Sequence, residues 1–172
     1  METTKNELTN DQKNFFNRLS SYLDTKLFYY GSVQRPDYMS GQSDIDVDIF
    51  TDNEISTIAK LQNYLHIDKV KFKKVIWKVR HNNKLITGYK VNYKTSFLTA
   101  EVAIYNEKYK NYILEEHNSK LVLPFYSTII LNLIKIFHYN LKVLPGVYYT
   151  FLKKKILNYS VGIITDDEFI VL

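Results

Sequence analysis

The chain predicts an α+β fold, a mixed sheet with helices on one face followed by C-terminal helices. Three observations carry this. Asp44 to Phe50 alternates polar and aliphatic residues with a period of two. The segments flanking it repeat apolar residues at helical spacing, and after Asn106 the pattern becomes helical almost throughout.

Taken in order, Phe15, Phe16, Leu19, Tyr22 and Leu23 form the apolar stripe of a first helix over Thr9 to Leu23, with Thr9, Asn10 or Asp11 as its cap. Lys26 to Tyr30 reads as a short strand ending at Gly31-Ser32, and Gln34 to Gln42, which holds Pro36 and Gly41, as a loop. The Asp-bearing strand follows. Asp52 or Asn53 caps a second helix carrying Ile55, Ile58, Leu61 and Leu65. Lys69 to Arg80 and Leu85 to Val91 are two strands of a hairpin turning at His81 to Lys84, and Ser96 to Tyr105 is a further strand. Helices are expected near Glu107 to Glu116, from Phe125 to about Asn140, and around Tyr148 to Tyr159. Residues 1–105 read as the core and 106–172 as a helical part packed on it, together one compact unit.

Composition narrows the function classes. At 45% hydrophobic and 15% aromatic residues, with only 5 Gly and 3 Pro, the chain has the makings of a packed core and not of a disordered one. The absence of cysteine excludes disulfides, thiolate zinc sites and cysteine nucleophiles. METTKNELTN lacks a secretory form, and no apolar run approaches the roughly 20 residues of a membrane span, so a cytoplasmic protein with no membrane partner is expected. The net charge of +5 permits a polyanionic partner. His66, His81, His117 and His138 have no metal-ligand spacing and receive no chemistry.

The chemistry concentrates in FYYGSVQRPDYMSGQSDIDVDIF, Phe28 to Phe50. On a strand, Asp44, Asp46 and Asp48 share one face and Ile45, Val47 and Ile49 the other. Carboxylates two residues apart lie about 6.7 Å from each other and repel by about 2.5 kcal/mol at an effective dielectric near 20. A divalent cation offsets that repulsion through hard oxygen ligands, as Mg²⁺ and Mn²⁺ do beside a substrate phosphate. An Asp-x-Asp alternation alone marks only a solvated strand face.

Gly31-Ser32, a loop, then Ser43-Asp44-Ile45-Asp46 together resemble the signature of the DNA polymerase β-like nucleotidyltransferase superfamily. The resemblance implies a palm core in which an Asp pair and a third acid on a neighbouring strand hold two divalent ions, Mg²⁺ or Mn²⁺. It implies transfer of a nucleoside monophosphate from an NTP to an acceptor hydroxyl. Carried onto this chain, Asp44, Asp46 and Glu101 are the catalytic and metal-binding acids, with Asp48 an alternative ligand if the pair is Asp46 and Asp48. Ser43 and the spacing from Ser32 favour Asp44 and Asp46. Glu101 is the acid in the apolar run from Ala100 to Ile104, and its side chain leaves the apolar layer. Gly31, Ser32, Arg35, Ser43 and Lys135 are expected to hold the triphosphate.

The acceptor is not fixed by these residues. Lys69, Lys71, Lys73, Lys74, Lys78 and Arg80 interleave with Phe72 and Trp77, a pattern that suits either a phosphate backbone or an exposed hairpin face. Lys153, Lys154 and Lys155 pose the same choice. The balance favours a nucleic-acid acceptor, RNA or DNA. A small adenylyltransferase that modifies a partner protein is the alternative enzyme, and a nucleotide or nucleic-acid binding module without turnover is the alternative outside enzymes.

Overall fold

A capping box starts the first helix. The Gln12 backbone N–H donates to Thr9 Oγ1, and the Thr9 N–H donates to Gln12 Oε1, so α1 (Asn10–Leu23) begins immediately after Thr9. Asp24, in the left-handed conformation, ends it. The computed structural model describes residues 2–79, 84–160 and 169–171. Within them the strands are β1 (Phe28–Tyr30), β2 (Ile45–Thr51), β3 (Lys73–Val79), β4 (Lys84–Lys94), β5 (Thr99–Asn106) and β6 (Phe169–Val171). The further helices are α2 (Glu54–Leu65), α3 (Lys110–Ser119), α4 (Phe125–Lys135) and α5 (Gly146–Ser160).

The strands form one mixed sheet in the order β1-β2-β5-β4-β3-β6. Among the described residues only β2 and β5 pair in parallel, which the intervening α2 and the β3–β4 hairpin make possible as a crossover. Residues 81–83 of the predicted turn, with Arg80 before them, and the segment 161–168 lie outside the described residues, whereas Lys84 begins β4. Asn53 caps α2 by accepting from Ser56 N–H. The helical C-terminal part also returns a short strand, β6, to pair with β3, so the sheet draws on both sides of residue 105.

Alternation decides which side chains meet which layer. Ile45, Val47 and Ile49 of β2 and Ala100, Val102 and Ile104 of β5 face one side and are buried with Phe16, Leu19, Ile58 and Leu61 of α1 and α2. On the opposite side Phe28, Phe50, Trp77, Ile86 and Tyr105 form a smaller cluster that Ile113 of α3 covers. Gly88 is required there, because a Cβ at this position would overlap the Tyr105 ring. α4 runs on through a wider π-helical turn, Ile136–Asn140, and packs against α5. Among the described residues no helix is long and apolar enough to cross a membrane.

Candidate active site

Strand register sets two of the predicted acids, Asp46 and Glu101, side by side. Across the sheet, Tyr30 of β1 stands opposite Asp46 of β2, Asp46 opposite Glu101 of β5, and Glu101 opposite Asn92 of β4. The next row on the same face reads Phe28, Asp48, Ala103, Lys90 and Lys73. The third row is apolar, with Phe50, Tyr105, Gly88 and Val75. The face thus changes from polar to packed between Asp46 and Phe50, four residues along β2.

Asp46 and Glu101 open into a cavity of about 270 Å³ that Gly31, Ser32, Arg35, Lys90, His117, Lys120 and Lys153 also line. Burial pushes the Asp46 carboxyl up to about 7, with Glu101 and Asp44 adding to the shift and Lys153 and Lys90 opposing it. Glu101 is better neutralised. Lys90 Nζ donates to its Oε1 at 2.5 Å, and Tyr30 Oη donates to the same oxygen at 3.1 Å. Burial, followed by the charges of Asp48, Glu101 and Asp46, holds the Tyr30 phenol well above its ordinary range, so it remains a donor.

Gly31 makes the close approach to this row. Its φ is +70°, and a Cβ there would overlap Asp46 Oδ2. The Gly31–Gln34 segment is a single 3₁₀ turn, and the Ser32 hydroxyl, itself buried, donates to the Asp44 carbonyl at 3.4 Å. Asp44 precedes β2 and is partly exposed. Its charge is felt by Asp46 and by Tyr139 and Tyr149, which places it toward the α4–α5 side of the site.

Three other predicted residues form a buried support for the loop before β2. Arg35 pairs with Asp37 through two hydrogen bonds, 2.8 and 3.2 Å. Lys135 of α4, 1% exposed, donates to the Asp37 carbonyl, lies 3.0 Å from Asp37 Oδ2 and donates to Ser43 Oγ at 3.2 Å. Ser43 Oγ in turn accepts from the Met39 N–H. Burial works against ionising Asp37, yet Arg35 and Lys135 hold its carboxyl below the usual range. Arg35 reaches the cavity wall, whereas the Lys135 ammonium is directed at Asp37 and Ser43.

Asp48 is fully buried one row below Asp46. His117 of α3 lies 2.8 Å from its Oδ2, between the rings of Tyr30 and Trp77 at centroid distances of 4.0 and 5.4 Å. Asp48 Oδ1 has no hydrogen-bond partner among the described residues, and burial keeps this carboxyl above its ordinary range despite His117. Sequence reasoning passed over His117, Lys90 and Lys120. Nothing local marks them, since their roles arise from strand register and from the docking of α3. The basic run at Lys153 did carry a signal, and of its three lysines Lys153 lines the cavity.

Among the described residues no three His, Asp or Glu side chains converge on one point as a ready cation cage. What the strands supply is a half-site, two carboxylates side by side with a third acid at the strand entrance.

No curated protein matches the chain. Among solved structures it is similar to one described as a cytoplasmic RNA terminal U-transferase, at 14% identity and a TM-score of 0.43. The match covers 82% of this chain and 45% of that one, so the chain spans less than half the length of that structure. The model of the nucleotidyltransferase domain family matches residues 10–159, which include the glycine-serine turn, the Asp-bearing strand, Glu101 and the helices that close the cavity. The chain therefore belongs to the nucleotidyltransferase domain family, within the polymerase β-like superfamily that its Gly31-to-Asp46 signature resembles.

Proposed function

We propose that the chain transfers a nucleoside monophosphate from an NTP to an acceptor hydroxyl, and that the acceptor is a nucleic acid. The observation that carries this reading is the Asp46–Glu101 pairing in register across β2 and β5, at the mouth of a cavity with Gly31-Ser32 on one wall and Lys120 and Lys153 on others. The donor set fits hard divalent cations. It is all oxygen, and Asp46, raised to about 7 first by burial, stands in register with a second carboxylate, Glu101.

Asp44, Asp46 and Glu101 would hold two ions, Mg²⁺ or Mn²⁺. When bound, the ions supply positive charge that acidifies the acceptor hydroxyl and neutralises the leaving pyrophosphate. The residues of the chain do the rest. The turn at Gly31 brings backbone N–H groups close to the phosphates, with Ser32 beside it, because no Cβ stands in the way. Lys120 and Lys153 line the same cavity and offset triphosphate charge. Arg35, Ser43 and Lys135 serve the nucleotide by fixing the loop that carries Asp44. Lys90 and Tyr30 hold the Glu101 carboxylate in one orientation.

In the reaction the acceptor oxygen bonds to the α-phosphorus while the bond to the bridging oxygen breaks. Pyrophosphate leaves with that electron pair, and the acceptor proton passes to solvent through the carboxylates. The net charge of +5 and the lysine-rich β3 support a polyanionic acceptor.

The test is transfer of α-³²P label from each NTP and dNTP, with Mg²⁺ or Mn²⁺, to single-stranded, duplex and tRNA acceptors and to lysate proteins. Label appearing in a nucleic-acid band, and absent with Asp46→Asn, supports the reading. Label confined to a protein band moves the activity to a protein acceptor, and nucleotide binding without any labelled product replaces the enzyme by a binding module.

A further inference from the structure

A second groove, of about 700 Å³, meets the nucleotide cavity at Glu101 and Lys90. Away from that junction it runs over Asn92, Val75, Lys73, Lys71 and Val70, across β4 to β3 and the turn before it. The two depressions share one wall. A molecule in the first and a molecule in the second therefore meet at the Glu101 carboxylate.

The groove is asymmetric in charge. Its lining holds three lysines and a single acid, and the acid is Glu101, at the junction. Lys71 and Lys73 are exposed and have no acidic partner among the described residues. Lys69 and Lys74, beside them in the chain, are exposed as well. The rest of the lining is uncharged, with Val75 as its apolar floor. Val75 is buried, Val70 is 81% exposed at the rim, and Asn92 offers an amide in register with Glu101. Lysines along a rim with an apolar floor suit a chain of regularly spaced phosphates whose bases or sugars rest on the floor.

We infer that this groove is the acceptor site, and that its occupant is a single polynucleotide strand. Its 3′-terminal hydroxyl reaches Glu101, and its backbone phosphates lie against Lys73 and Lys71. This rests on the nucleotidyl-transfer reading and gives it a direction. The NTP enters from the Gly31 and Lys153 side and the acceptor from the β3 side.

The experiment pairs binding with turnover in the variant Lys71→Ala/Lys73→Ala. Fluorescence anisotropy of a short labelled single-stranded RNA, without NTP or metal, is recorded over a series of salt concentrations. Binding at low salt should be at least about tenfold weaker, and the slope of log Kd against log salt smaller by about 1.4, the release of two counterions from a single strand. In the label-transfer assay KM for the oligonucleotide should rise by a similar factor, while KM for NTP and the rate with a dinucleotide acceptor, which spans less of the groove, stay within about twofold. Unchanged RNA affinity and salt slope would overturn the groove assignment even with transfer intact. Absence of transfer in the wild type with the predicted binding loss would overturn the enzymatic reading and leave the groove as a strand-binding site. RNA binding by neither protein would overturn the inference in favour of a protein acceptor. The substituted lysines are exposed, so an unchanged Tm excludes misfolding as the cause.

Discussion

At the scale of single residues, Asp46 sets the electrostatics of the site. Its carboxyl is raised from about 4 to about 7 by burial and by its acidic neighbours, so the folded state favours the protonated form. The resulting stabilisation is fully present below about pH 4 and is lost as pH rises through about 7. Asp46→Asn removes this dependence. In metal-free buffer at pH 8 the variant should be more stable than the wild type by about 1–3 kcal/mol, and the difference should vanish near pH 4, as urea titration at the two pH values will read. Mg²⁺ should raise the wild-type Tm at pH 8 and leave the variant's unchanged. The Asp46 position was legible in the sequence, because alternation and the Ser43-Asp44 context point to it. The Asp48–His117 pair was not, since a contact between residues 69 positions apart depends on where α3 docks.

Elements position these residues, and two substitutions test how. Gly31→Ala forces an alanine into φ +70° and drives a Cβ against Asp46 Oδ2. The left-handed conformation alone costs about 1–2 kcal/mol, and displacing the carboxylate by about 1 Å should lower kcat about 100-fold. Thermal unfolding and single-turnover label transfer measure the two effects separately. Lys135→Met leaves Asp37 buried without one of its cations. Loss of a partner from a buried pair costs about 3–5 kcal/mol, so Tm should fall by roughly 10 °C. An unchanged Tm with raised KM for NTP would instead make Lys135 a direct triphosphate contact. The helix bearing Lys135 was readable from its apolar spacing, but the stripe that turns inward was not. Ser127, Leu131 and Lys135 are buried while Phe125, Ile129 and Leu133 stay exposed, the reverse of what side-chain hydropathy favours.

For the whole molecule, the fold class, the run of strands and the helical C-terminal part follow from periodicity, whereas the strand order does not. β5 inserts beside β2, and this one parallel pairing carries Glu101 next to Asp46. Local propensity contains no information on that pairing, so only the resemblance of the Gly31-to-Asp46 signature could anticipate a third acid from a neighbouring strand. β6 and the roof of α3 were equally out of reach, because both come from packing between distant segments. On the proposed reading, transfer depends on the acids at the open end of this sheet face, and not on the buried pair one row below. The most direct measurement is the single-turnover rate of label transfer for Asp44→Asn, Asp46→Asn, Asp48→Asn and Glu101→Gln, side by side at saturating Mg²⁺ and NTP. Losses of about 10³-fold or more are expected for Asp44→Asn, Asp46→Asn and Glu101→Gln, with Asp48→Asn within about tenfold of the wild type. Abolished transfer in Asp48→Asn together with near wild-type rates in Asp44→Asn or Glu101→Gln would contradict that reading.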